Sequence, residues 1–191
     1  MSQHIYPYTL TWSTFFTLAR IALVPFIVKT LNAQAWFAAL ILFSCAALTD
    51  TIDGALARFL NERTLLGAYL DPIADKLLIV SCFCTFSVLN VPELNFPCWF
   101  ISLTCLKEIL LLMGAWYCLK RNPELIRPTF WGKLTMAVQS LSIGLFLIGL
   151  LVHGFPLIVF DVLIASMSLL MIIALGHYIY QMVLGLLWVK N

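Results

Sequence analysis

Residues 50–58 read Asp50-Thr51-Ile52-Asp53-Gly54-Ala55-Leu56-Ala57-Arg58, and after eight more residues the chain continues Gly67-Ala68-Tyr69-Leu70-Asp71-Pro72-Ile73-Ala74-Asp75. Four of the five aspartates in the 191-residue chain fall in this window, at the edge of two apolar segments, although only 10% of the chain is charged. A carboxylate at the centre of a membrane helix costs about 2.5–3.5 kcal/mol. The usual reason to keep several together is a cation they bind in common.

The surroundings of the window set the fold class. The chain is 62% hydrophobic, more than a soluble domain of this length needs, so an all-α integral membrane protein is expected. A spanning helix takes about 20 apolar residues. Six stretches approach that length: Trp12–Leu31, Ala35–Thr49, Ile73–Val91, Phe96–Leu119, Phe130–Val152 and Pro156–Val189. The second is short, and spans only if its helix runs on through Asp50 and Asp53. Pro72 suits a first helical turn, so the third helix is expected to start near Asp71.

Basic residues orient the spans. Arg58 and Arg63 lie between spans two and three, Lys120, Arg121 and Arg127 between four and five, and Lys190 at the end, while the loops near 31–35, 91–97 and 152–156 have none. This alternation predicts six transmembrane helices with both termini cytoplasmic. Lys29 breaks the pattern and is read as snorkelling from a helix end. The first apolar stretch lacks a basic n-region and a small-residue cleavage site, so it reads as a permanent span. A single membrane domain, 1–191, is expected. A net charge of +2 gives no reason to expect a nucleic-acid partner. The six cysteines form no Cys-x-x-Cys pair and read as small apolar packing residues. The three histidines are far apart and near no acidic cluster.

Helical spacing puts Asp50, Asp53, Gly54 and Ala57 on one face, and Asp71 and Asp75 on one face of the next helix. The helices are antiparallel neighbours, so the two acidic faces meet at one depth on the cytoplasmic side. Gly54 and Ala57 remove bulk there. Carboxylates without Cys or His form a hard-oxygen set suited to Mg²⁺ or Mn²⁺. One divalent ion would leave the four acids at about −2, whereas two bring the sum to zero, and a two-metal site is a clamp for displacement at phosphorus. Arg58, one turn past Gly54, suggests a phosphate contact, and Thr64 offers a loop hydroxyl. Arg63 reads as a topology determinant. Simple helix capping explains one such aspartate, not four at these spacings.

The pattern Asp50-x2-Asp53-Gly54-x2-Ala57-Arg58-x8-Gly67-x3-Asp71-x3-Asp75 resembles the signature of the CDP-alcohol phosphatidyltransferases, matching all eight of its positions. The resemblance implies transfer of a phosphatidyl group from CDP-diacylglycerol to an alcohol, with release of CMP. It implies that Asp50, Asp53 and Asp71 hold metal, that Asp75 is both ligand and catalytic base, and that Gly54, Arg58, Thr64 and Gly67 contact the donor. Family members are typically homodimers, and the setting implied is a bacterial inner membrane with the active site facing the cytoplasm.

The acceptor is less sharply marked. Thr17-Leu18-Ala19-Arg20, with Pro25, resembles the family's first span, with Thr14 where Asn is frequent. Arg20 inside a span reads either as a structural pairing or as a substrate contact. Lys107-Glu108 resembles the basic-acidic pair of phosphatidylglycerophosphate synthases, although Ala115 replaces a further Arg. Gly132-Lys133-Leu134-Thr135-Met136-Ala137-Val138-Gln139 departs from their fifth-span pattern at two positions. Arg127-Pro128-Thr129-Phe130 with Lys133 looks closer to the cardiolipin synthases of the same family. Lys133 near a helix N-terminus combines charge and dipole toward one anion, and Arg127 is within reach. Lys107, Arg127 and Lys133 are therefore the expected acceptor-binding residues. Glycerol 3-phosphate is the preferred acceptor and phosphatidylglycerol the alternative. A cation transporter is the competing class; against it, the acids gather at one face and Arg58 sits among them. A scaffold with a vestigial site is a further alternative, although no metal position is lost.

Overall fold

The computed structural model describes the backbone of residues 12–60, 65–89, 91, 96–121, 130–152 and 155–188, and the side chains of 15–49, 73–89, 91, 96–113, 130–152 and 155–180. These residues form six helices: α1 (Trp12–Asn32), α2 (Trp36–Leu60), α3 (Leu65–Val88), α4 (Cys98–Arg121), α5 (Phe130–Leu151) and α6 (Leu157–Trp188). Phe15–Asn32, Phe130–Leu151 and Leu157–Tyr180 are long and apolar enough to cross a membrane, and Trp36–Thr49 is a shorter apolar stretch. The second helix does run on through Asp50 and Asp53, reaching 25 residues. α3 departs from expectation. It begins at Leu65, so Pro72 is its eighth residue instead of lying in its first turn. Pro72 supplies no N–H for the Ala68 carbonyl; membrane helices tolerate this where neighbouring groups serve the freed carbonyl.

The helices group into two compact units, 1–89 with 143–155 and 90–142 with 156–191. In the first, α1 packs against both α2 and α3. Its buried residues recur at helical spacing: Val24, Ile27 and Leu31 on α1, Ala39, Phe43 and Ala46 on α2, and Ala74, Leu78, Cys82 and Phe86 on α3. Lipid is as apolar as Leu, so close packing and not water exclusion holds such faces together, and small residues such as the three alanines permit it. Phe86 meets Phe146 of α5 edge to face, ring centres 6.3 Å apart. The opposite faces expose Phe15, Phe26, Phe37 and Leu48.

The α1–α2 turn is closed by backbone bonds. Ala35 N–H reaches Thr30 O at 3.0 Å and Gln34 N–H reaches Leu31 O at 2.9 Å, with Gln34 in the left-handed region at φ 53°. This is the Schellman arrangement, which serves carbonyls a helix end otherwise leaves open.

In the second unit, α4 packs on α6. Phe100, Phe160, Ile164, Met167 and Met171 are buried beside an unusual set of polar residues: Thr104, Lys107, Glu108, Thr135, Gln139, Ser142 and Ser168. The threonines and Ser168 return their hydroxyls to their own helices, Thr104 to Phe100 O at 2.8 Å, Thr135 to Trp131 O at 2.7 Å and Ser168 to Ile164 O at 2.6 Å. Lys107, Glu108 and Gln139 need partners from elsewhere.

Candidate active site

α2 carries Asp50 and Asp53 in its C-terminal half, and α3 carries Asp71 and Asp75 in its N-terminal half. The side chains of Asp50, Asp53, Gly54, Arg58, Gly67 and Asp71, and the whole of Thr64 and Arg127, lie outside the described residues. Among the described residues no three of His, Cys, Asp and Glu gather, and Asp75 is the one member of the aspartate motif whose surroundings can be stated.

Asp75 meets Arg20. Arg20 Nη1 donates to Asp75 Oδ1 at 2.6 Å, with the arginine side chain wholly buried and that of the aspartate 24% exposed. The partners are 55 residues apart in sequence and are joined because α1 packs on α3. Of the two readings of Arg20, structural pairing is the one the geometry displays. The pairing bears on chemistry too. A guanidinium bonded to one carboxylate oxygen orients that carboxylate, and the exposed part of Asp75 is what a reactant or ion could approach.

Lys107 lies at the centre of the polar set in the second unit. Its Nζ donates to Gln139 Oε1 at 3.1 Å and pairs with Glu108 Oε1 at 2.6 Å, with 1% of its side chain exposed. Gln139 Nε2 in turn approaches Met171 Sδ at 3.5 Å, and Thr104 Oγ1 lies 3.6 Å from the same sulfur. The network thus ties α4, α5 and α6 together. The cation-and-anion pair keeps the buried charge near zero, the condition under which ionised groups survive burial. Lys133 is exposed in the first turn of α5. It lies six residues before Gln139, about 9 Å along the axis and on a different face. The structure therefore separates the two described basic candidates by environment: Lys107 is inside and partnered, Lys133 is outside at a helix start. Sequence reasoning noted Gln139 only as a motif position and missed Met171. The available signal was Lys107 itself, since an intramembrane cation requires polar partners on adjacent helices.

Residues 10–180 match the family model described as CDP-alcohol phosphatidyltransferase. A Mycobacterium tuberculosis (strain H37Rv) protein named "Probable phosphatidylglycerophosphate synthase" is 32% identical over 167 residues, covering 84% of this chain and 75% of its own. The CDP-diacylglycerol--glycerol-3-phosphate 3-phosphatidyltransferase of Escherichia coli (strain K12) is 31% identical over 139 residues, covering 69% and 73%. The protein of the same name from Wigglesworthia glossinidia brevipalpis is 36% identical over 140 residues, covering 68% and 72%. A helical chain with membrane-length apolar helices, the complete aspartate motif and a family match over nearly its whole length is an integral membrane phosphatidyltransferase, and it belongs to the CDP-alcohol phosphatidyltransferase family.

Proposed function

We propose that this enzyme transfers the phosphatidyl group of CDP-diacylglycerol to a hydroxyl of glycerol 3-phosphate, releasing CMP and forming phosphatidylglycerophosphate. The observation that carries the acceptor is that relatives from separate bacteria bear names with this same acceptor. Phosphatidylglycerol, the cardiolipin-forming acceptor, finds no such support. The preference for glycerol 3-phosphate read from the sequence agrees with these relatives.

The donor set, all carboxylate, fits Mg²⁺ or Mn²⁺. Asp50, Asp53, Asp71 and Asp75 would hold two such ions, whose chemistry when bound is to neutralise the diphosphate and stabilise the departing CMP. The chain's own residues do the rest. Gly54 gives the diphosphate close approach to α2, while Arg58, Thr64 and Gly67 hold the donor headgroup. Asp75, oriented by Arg20, takes the proton of the acceptor hydroxyl. The acceptor oxygen forms a bond to the phosphorus bearing diacylglycerol as the bond from that phosphorus to the bridging oxygen breaks. The electron pair leaves with CMP. Arg127 and Lys133 attract the phosphate of the acceptor, and Lys107 fixes the interior end of its site.

The topology that serves this chemistry has six spans, with both termini and the aspartates on the cytoplasmic side of a bacterial inner membrane, where CMP and glycerol 3-phosphate are soluble. A homodimer is part of the proposal.

Purified protein given CDP-diacylglycerol, Mg²⁺ and either acceptor provides the test. CMP release and a phosphatidylglycerophosphate product are expected with glycerol 3-phosphate, and loss of both on chelation. Cardiolipin as the sole product would replace the acceptor, and the absence of metal-dependent CMP release with every alcohol tried would refute the reaction. Asp75→Asn should abolish turnover while sparing CDP-diacylglycerol binding; an active variant would remove Asp75 as base.

A further inference from the structure

A groove of about 530 Å³ opens on the first unit between α1 and α2, lined by Leu23, Phe26, Lys29, Thr30, Ala33 and Leu42. Its walls are hydrocarbon apart from the lysine and the threonine. Thr30 turns its hydroxyl proton inward, toward Phe26 O at 3.1 Å and Ile27 O at 2.9 Å. Lys29 is exposed in the last turn of α1 and is the cation that breaks the charge alternation of the chain. α1 has no acidic residue, and those of α2 are Asp50 and Asp53, at least eight residues or about 12 Å beyond Leu42. Among the described residues Lys29 has no ion-pair partner.

The groove has a length and a direction. From Leu23 to Ala33 the helix rises about 15 Å, half of a hydrocarbon core about 30 Å thick. It begins one turn past Arg20, which marks the level of Asp75, and runs away from the aspartates to the α1–α2 turn. An apolar slot one leaflet long, ending in a cation that can snorkel to the headgroup level, is complementary to a single kind of molecule. We infer that it holds an acyl chain of an anionic glycerophospholipid whose phosphate sits on the Lys29 ammonium, in the leaflet opposite the aspartates. The inference rests on the proposed membrane topology, but not on the identity of the acceptor. A second copy of the chain fits less well, because a two-fold contact through this groove, with its axis along the membrane normal, would bring two unpaired Lys29 ammonium groups to one depth of the same interface.

The full chain, purified in detergent with excess CDP-diacylglycerol to fill the donor site, is titrated with palmitoyl-oleoyl-phosphatidylglycerol or palmitoyl-oleoyl-phosphatidylcholine, and bound lipid is counted by native mass spectrometry. The expected result is one retained phosphatidylglycerol, held about fivefold more tightly than phosphatidylcholine, the increment of one lysine facing an anionic headgroup. Lys29→Gln should erase that preference and Lys29→Arg should keep it. Leu42→Trp, which fills the slot, should displace both lipids. CMP release should be unchanged in all three variants, which shows that they are folded and separates this test from that of the reaction. Equal retention of the two lipids by the unaltered chain, an undiminished preference in Lys29→Gln, or a dimer that Leu42→Trp dissociates would each overturn the inference.

Discussion

Arg20→Met removes a guanidinium with a wholly buried side chain and leaves the Asp75 carboxylate, 24% exposed, without the bond at 2.6 Å. Breaking a buried pair by deleting one partner costs about 3–5 kcal/mol, and the partial exposure of Asp75 places this variant near the lower bound, at about 3 kcal/mol. Asp75→Asn alone leaves a buried guanidinium opposite a neutral amide and should cost a similar amount. Arg20→Met with Asp75→Asn removes both charges, and its loss should be far smaller than the two single losses together, giving a coupling of about 2–3 kcal/mol. For a chain of this size 3 kcal/mol corresponds to a fall of roughly 6–12 °C in Tm. Buried Cys82 provides the readout, since labelling by a thiol-reactive dye rises above the baseline of exposed Cys45 and Cys98 when the unit opens. The melts are run in chelator, so that ion binding at Asp75 does not enter. Turnover of Arg20→Met, measured in Mg²⁺, should fall about 100-fold, the scale of an acid displaced by about 1 Å. If Arg20→Met melts with the unaltered protein, or the double variant loses the sum of the single losses, Arg20 is not the residue that holds Asp75.

Gln139→Leu deletes the acceptor of the Lys107 hydrogen bond and should cost about 1–3 kcal/mol. If Lys107 bounds the acceptor site, the KM for glycerol 3-phosphate should rise with little change in kcat and Gln139→Glu should restore it; an unchanged KM in a folded Gln139→Leu protein would remove Lys107 from acceptor binding. Gln34→Gly relieves a left-handed residue and should raise stability by up to about 1 kcal/mol, whereas Gln34→Val should lower it by at least that much; thermal melts of both decide whether the turn is strained.

The legible part of the fold was the part written in local spacing. The run of α2 through Asp50 and Asp53 follows from the minimum length of a span, and α2 extends past both, to Leu60. Pro72 misled because a proline is compatible both with a helix start and with the interior of a membrane helix, and local sequence does not weigh the neighbours that decide. The pairing of Arg20 with Asp75 was half visible. An arginine within a span needs a partner, but which of several acids it takes depends on how α1 lies on α3. Lys107 was read as a substrate contact from its resemblance to a family pair, and its bond to Gln139 joins α4 to α5 across 32 residues of sequence, a relation with no periodic trace.

The hydrogen-bonded turn at Gln34 also fixes a phase. α2 is one unbroken helix from Trp36 to Leu60, so every residue between the turn and Asp50 adds about 1.5 Å and 100° to the placement of the first aspartate. An alanine inserted near residue 40 would leave the motif intact letter by letter and still turn Asp50 and Asp53 by about 100° around the axis of α2. The reach of α2 from the turn to Asp50 is therefore as much a part of the motif as its letters.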